Sequence, residues 1–538
     1  MRIGILDILS LPCRHLTQIP HRTILAKQYF SIMPQVISVW CRQLGHETFY
    51  TTYYGVGDPG RSLPKDLDVV FISCFTNASG LAYALARLYR KRGALTVIGG
   101  PHAKSFPTDC IRFFDIAVQE CDKTLIADIV ARQYDPGTIA TTTRPLDDLP
   151  TVEERMPEIR NASFFRKRLS YFMTQIPLLS SIGCPYTCDF CIDWKNPYRM
   201  LPTDRLRADI QFIAKNFPKV LVSFHDPNFG IKFDEVLEIL ESVPAGSRPK
   251  YIMETSLSIL RPERIQRLRE TNCVVVAPGI ESWSDYSNKA GVGRSSGIDK
   301  VDQVVDHLER INAHVPYIQA NLIFGVDSDK GDEPITLTKE FLDRTPFAWP
   351  VISTPVPLAG TPMYDNQLRD NRILQSMPFS FYFRFYLVLQ PKNYSPAEYY
   401  SKFIELLEHL ASRKMLQSRM DSTGDRRLKV LHWARTSSAR DDVKDYQRIL
   451  DLLRSDRQFR DFHEGRSQTL PAFYHHEYEA MHGRYADLIA IDERRPVLEP
   501  LASEPLLDPM QRGEERKGRG GRLTSLDRKE VPRQQRPL

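Results

Sequence analysis

The 538-residue sequence predicts an α/β protein made of two successive parallel sheets, followed by a region of helices. Three observations predict it. Short apolar runs alternate with amphipathic segments through the N-terminal third, the alternation resumes after a segment rich in Pro and charge, and the strand signal fades after about residue 395. These observations divide the chain into residues 1–136, a linker at 137–170, a second α/β unit at 171–394, helices at 395–500 and a tail at 501–538.

The N-terminal unit is predicted to be a doubly wound parallel sheet. Ligands of such sheets bind beyond the C-terminal ends of the strands. Its candidate strands are Arg2 to Ile8, Glu47 to Thr52, Asp68 to Ser73, Leu95 to Gly99 and Asp115 to Gln119.

The second unit is predicted to be a partial (β/α)6 barrel, because six strand and helix pairs are too few for the eight of a closed barrel. Its candidate strands are Pro177 to Ile182, Lys219 to Phe224, Tyr251 to Thr255, Cys273 to Pro278, Pro316 to Phe324 and Ala348 to Thr354.

The charge distribution argues against a nucleic-acid surface. Residues 511–538 contain nine Lys or Arg and four Asp or Glu, so this tail accounts for +5 of the net charge of +6. The body is nearly neutral, whereas nucleic-acid binding needs a basic stripe on a fold. The tail is expected to be disordered. No apolar run is long enough to span a membrane, and nine cysteines are too few for a disulfide scaffold, so a cytoplasmic protein is expected.

Three cysteines give the strongest chemical signal: Cys184, Cys188 and Cys191, in CPYTCDFC directly after the first predicted barrel strand. Three thiolates on such a loop can bind three irons of a 4Fe-4S cluster and leave the fourth iron open. The alternative is a structural zinc site completed by a distant His or Cys. Zinc loops favour paired C-x-x-C knuckles, and the sequence has no second pair.

The cysteine loop resembles the C-x-x-x-C-x-aromatic-C motif of the radical S-adenosylmethionine (SAM) enzymes. The turns HDPNF at 225–229 and GIES at 279–282 resemble further family signatures, as do the segments at 324–329 and 356–364. The resemblance implies a cluster on the three cysteines, SAM on its open iron, and reductive cleavage of SAM to a 5′-deoxyadenosyl radical. It also implies SAM contacts from Ser282 and from Phe190, which would shield the cluster and pack near adenine. Further SAM contacts, expected not to touch the cluster, are implied from Asp226, Asn228 and Glu281.

The N-terminal sheet resembles the cobalamin-binding domain that precedes the barrel in a large class of these enzymes. The likeness lies in ISCFT at 72–76, GGPHA at 99–103 and the acid at 120. Because no D-x-H-x-x-G occurs, an axial His is not expected. The resemblance implies cobalamin contacts from Ser73, Thr76, Gly99, Gly100, His102 and Glu120.

The resemblance implies cobalamin-dependent methylation of an unactivated carbon in a small-molecule or lipid-like substrate, with an electron donor such as flavodoxin or ferredoxin. One alternative is radical ring closure or rearrangement with a vestigial cobalamin domain. A second, of another class, is a non-catalytic iron-sulfur carrier or cobalamin-binding sensor.

Two further patterns favour structural interpretations. The His475, His476, Glu479 and His482 group lacks the spacing of a metal-binding helix and is expected to be a solvated or packing helix. The aromatic run from Pro378 to Leu389 predicts a buried strand, with the wall of a hydrophobic substrate pocket as the alternative.

Overall fold

The computed structural model describes residues 1–13, 30–163, 175–194, 196–286, 288–383 and 385–499. The predicted tail at 501–538 and the end of the predicted linker lie outside these ranges. In the part described, no helix is long and apolar enough to cross a membrane.

The N-terminal sheet is parallel throughout and has the strand order β2-β1-β3-β4-β5-β6. The order reverses between β1 and β3, which places a crevice at the C-terminal ends of these two strands. Both faces of the sheet are covered by apolar packing. The elements are β1 (Arg2–Ile8), α1 (Ile32–Gln43), β2 (Glu47–Tyr53), β3 (Val69–Cys74), α2 (Ser79–Arg90), β4 (Leu95–Gly99), α3 (Pro101–Ser105), α4 (Pro107–Cys110), β5 (Ile116–Val118), α5 (Lys123–Val130) and β6 (Thr138–Ala140).

The segment predicted to be a linker from residue 137 instead completes the first sheet. Its residues 138–140 form β6, which pairs with β5, and a helix α6 (Met156–Ala162) follows. Ile159 of α6 is fully buried, and Glu158 accepts a hydrogen bond of 2.8 Å from Ser38. A strand of three residues is too short to produce a visible alternation of apolar and polar residues, so the sequence did not reveal it.

The second sheet contains six parallel strands in the order β7-β10-β11-β12-β13-β14, with both edges open as in a partial barrel. The elements are β7 (Gln175–Leu178), β8 (Ser181–Ile182), β9 (Arg199–Met200), α7 (Thr203–Asn216), β10 (Leu221–Phe224), α8 (Phe233–Glu241), β11 (Lys250–Ser256), α9 (Pro262–Glu270), β12 (Cys273–Glu281), α10 (Gly297–Asn312), β13 (Tyr317–Ile323), α11 (Glu333–Arg344), β14 (Ala348–Ser353) and α12 (Pro362–Arg369). The first barrel strand is shorter than predicted, because β8 leaves the sheet and pairs with β9 in an antiparallel ribbon that encloses the cysteine loop.

Helices dominate after the barrel, as predicted: α13 (Pro396–Leu410), α14 (Arg413–Asp421), α15 (Arg426–Ser455), α16 (Arg457–His463) and α17 (Ala472–His482). Most described residues of the aromatic run at 378–389 are buried, and none of them belongs to a strand apart from the single bridge residue Leu389. Phe379–Phe381 form a single 3-10 turn, and its rings pack at angles to their neighbours rather than in a ladder. His482 is buried against Ser380 and the carbonyl of Tyr478.

The last described residues return to the N-terminal sheet. The hydroxyl of Tyr485 accepts a 2.9 Å hydrogen bond from the Gly60 amide, and the amide of Val497 donates to Asp109 over 2.8 Å. The chain then reaches the barrel, where the Tyr364 hydroxyl donates to the Glu499 carbonyl over 3.3 Å. The C-terminal region therefore joins both sheets.

The C-terminal edges of the two sheets face each other. Lys104, on α3 after β4, forms ion pairs with Glu120 at 2.8 Å and with Asp193 of the cysteine loop at 3.2 Å. Arg155, which is fully buried, adds a second bridge by donating to Gln35 and to the Pro177 carbonyl of β7. Ligands on either edge would share one cleft.

Candidate active site

The two ends of the cysteine loop contact each other. Gly183 has a φ of +68°, and a Cβ there would lie 2.3 Å from the Pro197 carbonyl oxygen, so only glycine fits. The amide of Cys184 donates to the Asn196 carbonyl over 3.1 Å, and the amide of Cys191 donates to the Cys188 carbonyl over 3.1 Å. These contacts hold the three cysteines on one compact loop.

The donor set fits an iron-sulfur cluster better than a single metal ion. All three thiols are free of disulfides, Cys184 is buried, and Cys188 and Cys191 are half-buried. Among the described residues, no three His, Cys, Asp or Glu side chains are placed to hold one ion. Tetrahedral zinc would require sulfurs about 3.8 Å apart. A cubane binds each thiolate through a different iron and tolerates a wider separation.

Lys289 places a positive charge beside the loop. Its Nζ lies 3.3 Å from a carboxylate oxygen of Glu281 and 5.6 Å from the ring centre of Phe190. Burial alone lowers the pKa of this lysine, but the charges of Glu281, Cys188 and Cys191 outweigh burial and raise it. Lys289 is therefore a cation beside the cysteine loop. The sequence interpretation did not identify it.

Glu281 ends β12 in a left-handed conformation, with a φ of +68° that is uncommon outside glycine. Its carboxylate folds back over Gly279, where a Cβ would lie 2.3 Å from the carboxylate oxygen. Burial raises the pKa of Glu281, and the nearby Lys289 opposes that rise. Ser282, the next residue, is 3.4 Å from Asp329 and 3.1 Å from Ser284. These residues lie together at the C-terminal edge of the barrel.

Asp226 is bound by residues at the start of the cysteine loop, and its contact with SAM stays a prediction. It is 2% exposed, and its oxygens accept bonds from the amide of Ser180 at 3.1 Å and from the hydroxyls of Ser180 and Ser181 at 2.5 and 2.6 Å. Asp226 therefore anchors the start of the cysteine loop. Its donors lie 45 and 46 residues earlier in the chain, which sequence spacing does not reveal.

Asn228 contacts a cluster cysteine, contrary to the expectation that this turn stays clear of the cluster. Its amide nitrogen lies 3.7 Å from the Sγ of Cys184 and donates to Ser256 over 2.9 Å. The amide of Ser256 donates back to Asn228 over 3.0 Å. Because hydrogen bonds to ligand sulfurs tune iron-sulfur clusters, Asn228 is placed to act on the cluster as well as on a neighbouring ligand.

Phe190 stacks on Tyr286 with ring centres 5.9 Å apart. The Tyr286 hydroxyl donates over 2.5 Å to Asp189, which lies between two of the cysteines. Tyr286 thereby ties the turn after β12 to the cysteine loop. Its signal in the sequence is weak, because a single Tyr in a polar loop is common.

Glu254 is a carboxylate inside the barrel that the sequence interpretation overlooked. Its neighbours on β11, Met253 and Thr255, are buried, whereas Glu254 is exposed and projects from the opposite face of the strand. The available signal was one acid within the otherwise uncharged segment YIMETS.

At the N-terminal sheet, Gly100 is required by the chain itself. It has φ +86° and ψ −173°, and a Cβ would lie 2.8 Å from the Ser73 hydroxyl and 3.3 Å from the backbone of Cys74. Gly99 is different, because the nearest atom to its Cβ would be the Val118 carbonyl oxygen at 3.9 Å. Gly99 therefore leaves open space, and Thr76 begins a 3-10 turn on the neighbouring strand end.

His102 is a core residue, which corrects its assignment as a cobalamin contact. It is fully buried, its Nε2 lies 2.6 Å from the Tyr83 hydroxyl, and its ring packs 5.0 Å from that of Phe379. Burial lowers the pKa of His102 to about 3, so the ring is neutral. Glu120, by contrast, lies at the sheet edge in its ion pair with Lys104.

Comparison with known proteins agrees with this geometry. Residues 178–336 match the model of the radical SAM superfamily. A bacteriochlorophyllide d C-12(1)-methyltransferase of Chlorobaculum tepidum is 23% identical over 389 residues, which cover 70% of this chain and 80% of that protein.

Two solved structures share the overall fold of this chain. The cobalamin-dependent SAM radical enzyme OxsB, with aqua-cobalamin and SAM bound, superposes with a TM-score of 0.58 at 13% identity, over 90% of this chain and 79% of that one. The radical SAM methyltransferase TsrM from Kitasatospora setae, with cobalamin and a 4Fe-4S cluster bound, gives 0.53 at 12% identity, over 83% and 99%. Residues 178–336 therefore match the radical SAM superfamily, and the chain has the fold that these two solved structures share.

Proposed function

We propose that this chain is a cobalamin-dependent radical SAM methyltransferase acting on an unactivated carbon. The observation that carries the proposal is the contact between the two sheet edges. Lys104 bridges the N-terminal sheet edge to Asp193 of the cysteine loop, so a corrin at one edge would face SAM at the other. When bound, the cluster, SAM and cobalamin supply an electron, a carbon radical and a methyl group.

The residues of the chain would hold these groups in place. Cys184, Cys188 and Cys191 would bind the cluster. The Glu281 and Lys289 pair would offer one negative and one positive charge to the amino and carboxylate groups of SAM at the open iron. Phe190 and Tyr286 supply a flat apolar wall beside it. At the other edge, Gly99 allows a close approach of a corrin or its nucleotide tail.

The proposed substrate is a small lipophilic molecule, because a relative acts on bacteriochlorophyllide. Glu254, open to the barrel interior, would face that substrate and orient a hydrogen-bond donor on it. The electron would come from a reduced flavodoxin or ferredoxin.

The proposal is tested by anaerobic reconstitution of the full chain. We expect about four irons per chain on the three-cysteine set, release of 5′-deoxyadenosine from SAM, and a coloured complex with hydroxocobalamin. Cys188→Ala should lose the iron, while Cys273→Ala, a buried cysteine outside the loop, should keep it. Stoichiometric zinc without a cluster would contradict the proposal.

Cobalamin separates the main reaction from its alternative. A chain that cleaves SAM but remains cobalamin-free at saturating cofactor would favour radical ring closure or rearrangement with a vestigial N-terminal sheet. A chain that binds its cofactors without cleaving SAM would instead be a sensor.

A further inference from the structure

The first half of α15 carries an unusual surface. Residues 426–440 (RRLKVLHWARTSSAR) contain five Lys or Arg and no acid, whereas residues 441–455 contain three basic and four acidic residues. Within the basic half, large apolar side chains are exposed: Val430 at 65%, Trp433 at 57% and Leu431 at 36%. Large apolar side chains exposed beside cations are typical of an interaction surface.

The helix geometry separates this surface from the core. His432, Thr436 and Ala439 are buried and recur at spacings of four and three residues, which defines the inward face of α15. At 100° per residue, Val430 lies well away from that face and Trp433 lies at its flank. Arg426 and Arg427 are exposed one turn before Val430, at the same side of the helix.

The positive charge is local and extends onto a neighbouring helix. Arg413 and Lys414 at the start of α14 are also exposed. Residues 1–510 carry a net charge of only about +1, because the tail accounts for the rest. The patch is therefore a concentrated basic and apolar surface on a body with no general excess of charge.

This surface lies at the end of the barrel opposite the cysteines. Arg419 of α14 donates over 2.7 Å to the carbonyl of Ala348, the first residue of β14. The ring of His432 lies 6.2 Å from that of Tyr317, the first residue of β13. The cysteine loop follows the C-terminal end of β7, and the parallel strands between the two ends are about 20 Å long. A redox partner docked on α15 would therefore be too distant to reduce the cluster efficiently.

We propose that the first half of α15 docks the protein on an anionic lipid surface. Apolar side chains that include a Trp lie in a stretch, residues 426–440, whose only charged side chains are Arg and Lys; the acid directly before this stretch in the chain is the N-cap residue Asp425. This combination matches the chemistry of the membrane interface: the apolar groups enter the acyl boundary and the cations meet lipid phosphates. The docking is peripheral, with α15 lying along the surface. It places the barrel beside a reservoir of lipophilic molecules and is independent of whether the chain methylates them.

The experiment is co-sedimentation of the full chain, purified anaerobically, with vesicles. Vesicles of phosphatidylcholine containing one-third phosphatidylglycerol are compared with phosphatidylcholine alone, at low and high salt. We expect binding to the anionic vesicles that weakens with salt. Arg426→Ser with Arg427→Ser should weaken it about 25-fold, since each cation near the surface contributes roughly fivefold. Val430→Ser with Trp433→Ser should weaken it at least about tenfold.

Two controls match these variants in chemistry. Lys444→Ser removes an exposed cation from the other half of the same helix, and Ile491→Ser removes an apolar side chain that is 62% exposed elsewhere. Both should bind as the wild type does. Circular dichroism and iron content verify that every variant is folded.

Three outcomes would overturn the proposal. The first is a wild type that sediments with neither vesicle. The second is a set of α15 variants that bind as tightly as the controls, which assigns binding to another surface such as the basic tail. The third is a patch that binds an acidic protein and no vesicle, which makes it a protein interface.

Discussion

Gly100→Ala should destabilise the N-terminal sheet rather than merely exclude cobalamin. The backbone at Gly100, with φ +86° and ψ −173°, lies in a region that only glycine occupies readily, at a cost of about 1–3 kcal/mol for other residues. The new Cβ would also lie 2.8 Å from the Ser73 hydroxyl and 3.3 Å from backbone atoms of Cys74, which adds about 1–3 kcal/mol of overpacking. We expect a total near 4 kcal/mol.

The measurement is the midpoint of the thermal transition that unfolds the N-terminal unit within the full chain. It should fall by about 8–16 °C, at roughly 2–4 °C per kcal/mol for a unit of 150–250 residues. Gly99→Ala is the matched control. Its Cβ would meet nothing closer than 3.9 Å, so its midpoint should stay near that of the wild type. If Gly100→Ala melted within about 2 °C of the wild type, the strain argument would be refuted and the role of this glycine would lie with a ligand.

Three further predictions follow from buried carboxylates. Asp226→Asn should lower the free energy of unfolding by about 2–4 kcal/mol and lower the iron content after reconstitution, because one amide oxygen cannot accept from all three donors. Full iron content with weakened SAM binding would instead support a direct SAM contact. Glu281→Gln should keep the iron but weaken SAM binding in equilibrium dialysis, since the charge beside Lys289 is lost; loss of both would indicate a structural role. Burial raises the pKa of Asp7 from 3.8 to about 6, so ionisation costs the folded state up to about 3 kcal/mol as the pH rises through this window. Asp7→Asn should therefore melt above the wild type at pH 7.5 and close to it near pH 4, and a difference independent of pH would contradict the assignment.

The sequence predicted both sheets and their parallel order because buried strands in α/β proteins are continuous apolar runs, such as RIGILDI and CVVVAP. It did not predict β6, which is only three residues long. It also assigned the aromatic run at 378–389 to a strand. Composition indicates that such a segment is buried, but its backbone conformation depends on how the surrounding aromatic rings pack.

The candidate site shows the same division between chemistry and geometry. The spacing of Cys184, Cys188 and Cys191 is a local property, so the sequence is sufficient to suggest a cluster. Asp226 is bound by Ser181, 45 residues earlier, and His102 contacts Tyr83, 19 residues earlier. No local sequence pattern contains these partners. Polar residues in motif positions were therefore assigned to ligands although the fold uses them itself.

The return of the C-terminal segment to the first sheet has a consequence for synthesis. Tyr485 and Ile489 are part of the apolar cluster on one face of that sheet, and Tyr485 bonds to Gly60, 425 residues earlier. At about 5–20 residues per second, the ribosome needs roughly 20–85 s to make the chain between them. Through that interval the nascent sheet exposes an unfinished apolar face, so its folding in the cell depends on chaperones or on the growing barrel to prevent aggregation until the final segment emerges.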